Sequence, residues 1–376
     1  MLSSTLLIPA VRPFFAAVHP DAEGGLFLFM TVNMLGAIVG APVLTALADA
    51  TGKRAMVLIV AALVDGVLLF LCATPLSLPL VLVLRTIQGA ANVAAVSLLM
   101  GLTTARGVPV AGGATIAAIA AGAPLGVVLL KFGPAVPLQV GAMLPLLVAI
   151  AVAALQPVAV VSAPRRHRFG DVVGALPAGL FIFAERLAIG LFIVPFSLLG
   201  HDVRGFDDAV VGRMFSAFLI PFAVATALGS RFRVPVGPAI GVGTVVYALS
   251  LIGAARIDDV GVLVAVLVVG GIGAAGVYAP ALRSVMHLVP ADRIGAAMGL
   301  VNALGALGML LGSGGAGLIT KAAMAAGFDR RASLTWSFDV AAASLIVVVA
   351  VGLPLLVRAL RAVPAVSPPD APPPTT

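Results

Sequence analysis

From end to end the chain alternates long apolar runs with short polar breaks. The runs of the first half read as Leu2–Ala17, Gly25–Leu47, Ala55–Cys72, Leu80–Met100, Val110–Leu130 and Val136–Val158. Those of the second read as Val172–Leu199, Val210–Leu228, Val236–Ala254, Val260–Leu282, Ile294–Ile319 and Leu334–Val357. About 20 apolar residues in a helix cross a hydrocarbon core roughly 30 Å thick. The pattern therefore predicts an all-α membrane protein of twelve transmembrane helices, six on each side of a central break. The first run is the exception, at 16 residues interrupted by Pro9 and Arg12. It reads as a short, stretched or re-entrant helix, or as a truncated one whose natural start lies upstream of Met1.

Four regions follow: a six-helix bundle over 1–160, a basic linker over 161–171, a second bundle over 172–360 and a tail over 361–376. The linker, Ala163-Pro-Arg-Arg-His-Arg-Phe-Gly-Asp171, has no apolar run. The tail is rich in proline, which removes backbone donors and breaks helices, so disorder is expected there.

Composition narrows the class. Hydrophobic residues make up 61% and charged residues only 10%, with mean hydropathy +1.19. Charged residues form about a quarter of an ordinary soluble domain, so this chain is built for lipid. Its 42 glycines sit inside Leu/Val/Ala runs, which suits close helix packing. Net charge is +7, but the bases occupy short loops between spans, which argues for membrane orientation and against nucleic acid. With the Asp49 turn cytoplasmic, that side carries twelve bases: Lys53, Arg54, Arg106, Arg165, Arg166, Arg168, Arg231, Arg233, Arg283, Arg293, Arg358 and Arg361. The other side carries six: Lys131, Arg204, Arg256, Lys321, Arg330 and Arg331. The bias predicts both termini inside a cell inner membrane. A single cysteine, Cys72, excludes an intrachain disulfide, and four scattered histidines give no metal-ligand spacing. No cofactor is expected. Without a Walker loop, a G-x-S-x-G elbow or an H-E-x-x-H pair, the chain reads as neither an ATP-driven pump nor an enzyme.

Candidate chemistry concentrates at a few positions. Arg85, Gln88, Gly89 and Asn92 recur at i, i+3, i+4 and i+7 and share one helix face. A polar stripe on an apolar span faces the bundle interior or a wet cavity, unless Arg85 snorkels to the interface. Glu185 lies 14 residues after Asp171 and 16 before His201, which places it about 20 Å along a helix from either loop. That is mid-bilayer, where a carboxyl is protonated when dry or paired with a cation, so Glu185 is the leading proton carrier. The alternative is a structural ion pair with Arg186, although successive side chains diverge by about 100° and need not meet. Asp65, also mid-span, is expected to make a structural hydrogen bond. Asp339 and Trp336 fit the outer interface.

The turn Asp49-Ala-Thr-Gly52-Lys53-Arg54, preceded by Thr45, resembles the span 2–3 signature of the major facilitator superfamily, with Thr45 and Ala50 departing from it. Arg85-Thr-Ile-Gln88-Gly89 resembles that family's span 4 element, frequent in proton-coupled members. Gly122-x-Pro124-x-Gly126 resembles a degenerate exporter element lacking the final double glycine, and otherwise marks close packing with a kink. Gly308 and Gly312 hold the equivalent place in the second half, as Gly229-Ser-Arg-Phe-Arg233 does for the Asp49 turn.

The resemblance implies two rocking bundles around a central cavity, as in a drug- or metabolite-efflux branch. It makes Asp49, Gly52, Lys53 and Arg54 a cytoplasmic gate, and gives Glu185 and Arg85 proton coupling. Candidate cavity residues are Asn33, Gln88, Asn92, Phe181, Phe192, Phe218, Tyr278 and Asn302, joined by Phe183, Phe196 and Met214. Few polar groups converge among them, which argues against a sugar. The expectation is proton-coupled efflux of a small apolar or amphipathic compound by a monomer. Proton-driven uptake of a metabolite or organic anion held by Arg85, and a receptor without flux, are the alternatives.

Overall fold

The computed structural model describes residues 2–7, 9–19, 25–104, 107–155, 170–229, 231 and 234–362. Most of the predicted linker and nearly all of the predicted tail lie outside them, as do Arg106 and Arg233. In lipid a backbone must satisfy its own N–H and C=O groups, and the apolar runs do so as helices. After two short segments, α1 (Leu2–Leu6) and α2 (Val11–Val18), come α3 (Gly25–Thr51), α4 (Arg54–Cys72), α5 (Leu78–Gly101), α6 (Gly107–Leu130) and α7 (Val136–Leu155). A short α8 (Gly170–Val173) precedes α9 (Leu176–Leu198), α10 (Asp208–Leu228), α11 (Val236–Arg256), α12 (Val260–Leu288), α13 (Ile294–Ala325) and α14 (Arg330–Ala362). Eleven of these helices have the length and apolar character of a membrane span. The first predicted run is the broken one: α1 and α2 meet around Pro9, which has no N–H to continue a ladder.

Helices overrun the apolar segments. The run ending at Leu282 continues as helix to Leu288, and the one starting at Leu334 begins at Arg330. Hydropathy marks the part immersed in hydrocarbon, whereas the hydrogen-bond ladder continues into the headgroup layer. Asp49 accordingly sits in the last turn of α3, and the break before α4 is Gly52 and Lys53 alone. Gly52 takes φ 67°, a left-handed conformation that glycine adopts without cost. Loop acids acquire a local role. The side chains of Asp207, Asp259 and Asp329 accept from the backbone N–H groups of Val210, Val262 and Ala332, at 2.7, 2.8 and 2.6 Å, capping α10, α12 and α14.

The two halves repeat one packing scheme. In the first, α3 packs on α5, α4 on α5 and α7, and α1 on α6 and α7. In the second, α10 packs on α12, α11 on α12 and α14, and α9 on α13 and α14. Within each half, Gly122 and Gly126 of α6 meet Thr5 and Leu6 of α1, while Gly308 and Gly312 of α13 meet Phe183 and Leu187 of α9. Between halves, α3 packs on α13 and α6 on α10. Val39, Val43, Leu155, Val242 and Leu318 are exposed, an apolar outer surface suited to lipid.

Candidate functional site: a gate and two buried acids

The seam between α3 and α13 carries residues predicted to form a gate. Asp49 is buried, and its Oδ2 accepts from the backbone N–H of Ala296 at 2.6 Å. Ala296 lies in the first turn of α13, where amides lack helical partners and the helix dipole favours an anion. Oδ1 accepts from Arg54 Nε at 2.5 Å, and Arg54 Nη2 donates to Ala291 O at 2.9 Å. One carboxylate thus joins the end of α3, the start of α4 and the start of α13. A Cβ on Gly295 would come 2.5 Å from Asp49 Oδ1, and one on Gly299 would strike Thr45. The threonine that replaces a family glycine is therefore matched by a glycine on the opposing helix. Lys53 is exposed. Asn302 Nδ2 adds a second bridge, donating to Ser97 Oγ of α5 at 2.9 Å. Ala291, Ala296, Gly299 and Ser97 are partners at this seam that sequence reasoning missed; for those on α13 the small-residue run opening the helix was the available signal.

The α5 stripe folds inward. Arg85, Gln88 and Asn92 are buried, with Arg85 fully enclosed and its guanidinium 4.7 Å from the centre of the Phe29 ring, so it does not snorkel. Gln88 Oε1 accepts from Arg85 Nη1 at 2.5 Å and from Asn33 Nδ2 at 2.8 Å. Gln88 Nε2 donates to Asp65 Oδ1, and Asn92 Nδ2 donates to Asp65 Oδ2 at 2.6 Å. Three of the residues predicted to line a cavity, Asn33, Gln88 and Asn92, are thus bonded into one network inside the first half. Asp65 is its acid end.

Glu185 lies on α9, fully enclosed. Arg186 Nε approaches its Oε2 at 3.4 Å, a contact that the helical angle alone did not require, and neither carboxylate oxygen has a hydrogen-bond partner among the described residues. The Arg186 guanidinium sits 5.2 Å from the centre of the Tyr278 ring on α12. The predicted aromatic residues gather close by. Phe192 packs on Phe196, Phe215, Phe218 and Phe338, Phe218 on Tyr247, and Phe222 on Tyr278, with centroids 4.9–5.8 Å apart. Phe181, Phe192, Phe218 and Tyr278 are at most 3% exposed. In this conformation they fill the second half's core; they do not wall an open space.

At the ends away from the Asp49 seam, the second half is tied by ions. Arg204 Nε donates to Asp258 at 3.1 Å and Arg331 Nη2 donates to it at 2.6 Å, Arg330 pairs with Asp202 at 2.5 Å, and Arg256 grips Asp339 with two bonds of 2.9 Å. Bonds from Arg331, then Arg204, hold the Asp258 carboxyl below its ordinary range. Trp336 is half-exposed beside Phe328 at this same rim.

Among the described residues no group of His, Cys, Asp and Glu side chains is arranged to hold a metal ion. A sequence model described as Major Facilitator Superfamily matches residues 178–375, more than half of the chain. No curated protein matches the chain. Among solved structures, the human organic anion transporter MFSD10 (TETRAN) is similar over 94% of this chain and 95% of its own, with TM-score 0.70 and 18% identity. The proton:xylose symporter XylE, bound to 6-bromo-6-deoxy-D-glucose, is similar over 93% and 91%, with TM-score 0.70 and 14% identity. At such identities these likenesses concern the fold alone. The twelve-segment repeat, the seam at Asp49 and the family match converge: this chain belongs to the major facilitator superfamily.

Proposed function

We propose that the protein exports a small apolar or amphipathic compound in exchange for protons, by alternating access between its two halves. It works as a monomer in a cell inner membrane, with both termini cytoplasmic. That a secondary transporter is at work follows from the family and its fold. The observation that carries the finer reading is the enclosure of Glu185, a mid-span carboxyl with no hydrogen bond on either oxygen among the described residues. An unsolvated carboxylate is costly, so its charge must follow its wetting. A rocking motion that wets Glu185 on one side and then the other makes it take up and release a proton. Arg186, 3.4 Å away, is the cation that receives the carboxylate after proton loss. Asp49, bonded across the seam to Ala296, holds the cytoplasmic side shut during the outer half of the cycle.

A ligand-stabilisation screen on purified protein identifies the cargo, and reconstituted vesicles under an imposed pH gradient then test the reading. Accumulation driven by the gradient in the wild type, lost in Glu185→Gln with counterflow exchange retained, is the expected result. Unchanged accumulation in that variant rejects the role of Glu185. Binding without any flux supports a receptor.

A further inference from the structure

Asp65 stands outside the mechanism above, yet it is the better-connected of the two mid-span acids. Its two oxygens accept from different amides, Gln88 Nε2 and Asn92 Nδ2. Through Gln88, whose Oε1 accepts from Arg85 Nη1 at 2.5 Å, the carboxylate is one side chain away from a fully enclosed guanidinium. Arg85 Nε and Nη2 have no hydrogen-bond partner among the described residues, and the guanidinium otherwise faces the Phe29 ring, so Asp65 is the carboxylate that balances this charge. On the helices packed against α4, the charged groups are few. Arg85 on α5 faces Asp65 through Gln88, α7 has no titratable residue, and Asp49 on α3 is held at the far end by Arg54 and Ala296. On α4 itself, Arg54 opens the helix and Cys72, two turns along, is buried against Val81.

Asp65, though buried, borders open space. A cavity of about 570 Å³ runs between α1, α4, α5, α6 and α7, with Ser3, Asp65 and Asn92 among its lining residues. Its other walls include Leu99 and Met100 of α5 and Ala151 of α7, which belong to the ends of those helices nearest the Asp49 seam. The lining residues all belong to the first half, with Met100 reaching Asn302 of α13 across the seam. A polar head with several hydrogen-bonding groups is the kind of place that admits water.

We propose that Asp65 is a second proton-binding site, which exchanges protons with the Asp49 side through this cavity while the seam between the halves is shut. The inference rests on the functional reading above in taking the protein to move protons. A hydronium ion at the cavity head loses one O–H bond as its proton bonds to a carboxylate oxygen, leaving water and the neutral acid; release to water is the reverse step. In its charged form Asp65 is held by the two amides and by Arg85 through Gln88. Gln88 is thus a positioning residue that transmits the charge of Arg85 to the acid.

Infrared difference spectra of the full chain in lipid, recorded as pH is stepped, test this. The expected result is a protonated-carboxyl band that grows as pH falls, disappears in Asp65→Asn and persists in Glu185→Gln. Arg85→Gln, which removes the balancing charge, is expected to raise that band severalfold at near-neutral pH, while Arg85→Lys leaves it near wild type. Should Asp65→Asn fail to fold, carbodiimide labelling of the wild type gives the same information, since the reagent adds only to a protonated carboxyl. Peptide mapping is then expected to show a pH-dependent adduct at Asp65. Identical spectra for wild type and Asp65→Asn, or no adduct at Asp65 under conditions that label Glu185, overturns the proposal and leaves the role of Glu185 standing. Titration at Asp65 with Glu185→Gln still fully coupled removes the functional reading of Glu185 and keeps this one.

Discussion

Glu185 and Asp65 are both mid-span carboxyls, and their surroundings separate them. Among the described residues Glu185 has a cation at 3.4 Å and no hydrogen bond, whereas Asp65 is held by two amides. A charge with few fixed partners changes state most easily when solvent arrives. Replacing Gln88 by Leu removes the acceptor for Arg85 and Asn33 and a donor to Asp65, leaving several buried polar groups unpaired. Each such group costs about 1–3 kcal/mol, so the variant is expected to unfold at a clearly lower temperature in a detergent melt. An unchanged melting temperature contradicts the network as drawn. The positions of Glu185, Arg85, Gln88 and Asn92 were legible from distance to the loops and helical spacing. The bond from Gln88 to Asp65 was not, because spacing within a helix says nothing about which neighbour a side chain meets. The aromatic residues show the same limit: their apolar character was plain, but whether they line or fill a space depends on how helices are docked.

At the scale of elements, the α3–α13 seam depends on size as much as on charge. Thr45 fits because Gly299 opposes it, and Asp49 reaches Ala296 because Gly295 leaves room. Gly299→Val is expected to cost the closed seam about 1–3 kcal/mol through overpacking. Labelling of a cysteine placed at Thr45 should then become faster; equal labelling rates in the presence and absence of the valine speak against the seam. The outer rim behaves differently, since its clamps are exposed ion pairs that contribute modestly and are screened by salt. Asp258 titrates below its ordinary value of about 3.9. Its contribution is therefore complete above that value and is lost as pH falls through the depressed one. Asp258→Asn at neutral pH should reproduce the faster hydrogen exchange of the Ile257–Asp259 loop that acid induces in the wild type. Protection unaffected by either change removes the clamp. Helix positions were read well from the apolar runs, but their ends were not, because hydropathy does not register a ladder that continues into the headgroups.

At the scale of the molecule, two halves with one packing scheme meet along α3–α13 and α6–α10, and hydrogen bonds join them at the Asp49 end. The six-and-six layout and the turn at Asp49 were legible from the pattern of runs and the charged break. The pairing of Thr45 with Gly299 was not, since the two positions lie in opposite halves of the chain. Alternating access requires that the Asp49 seam open while each half stays whole. Thr51 and Ala291 are exposed on either side of it and accept spin labels through cysteines, with the buried Cys72 replaced by alanine. Distance distributions between these labels, in lipid, test the central claim most directly. The account predicts one short population in the labelled wild-type background and a second, longer one that grows when Asp49→Asn removes the bond to Ala296. The same single distance in both proteins contradicts it.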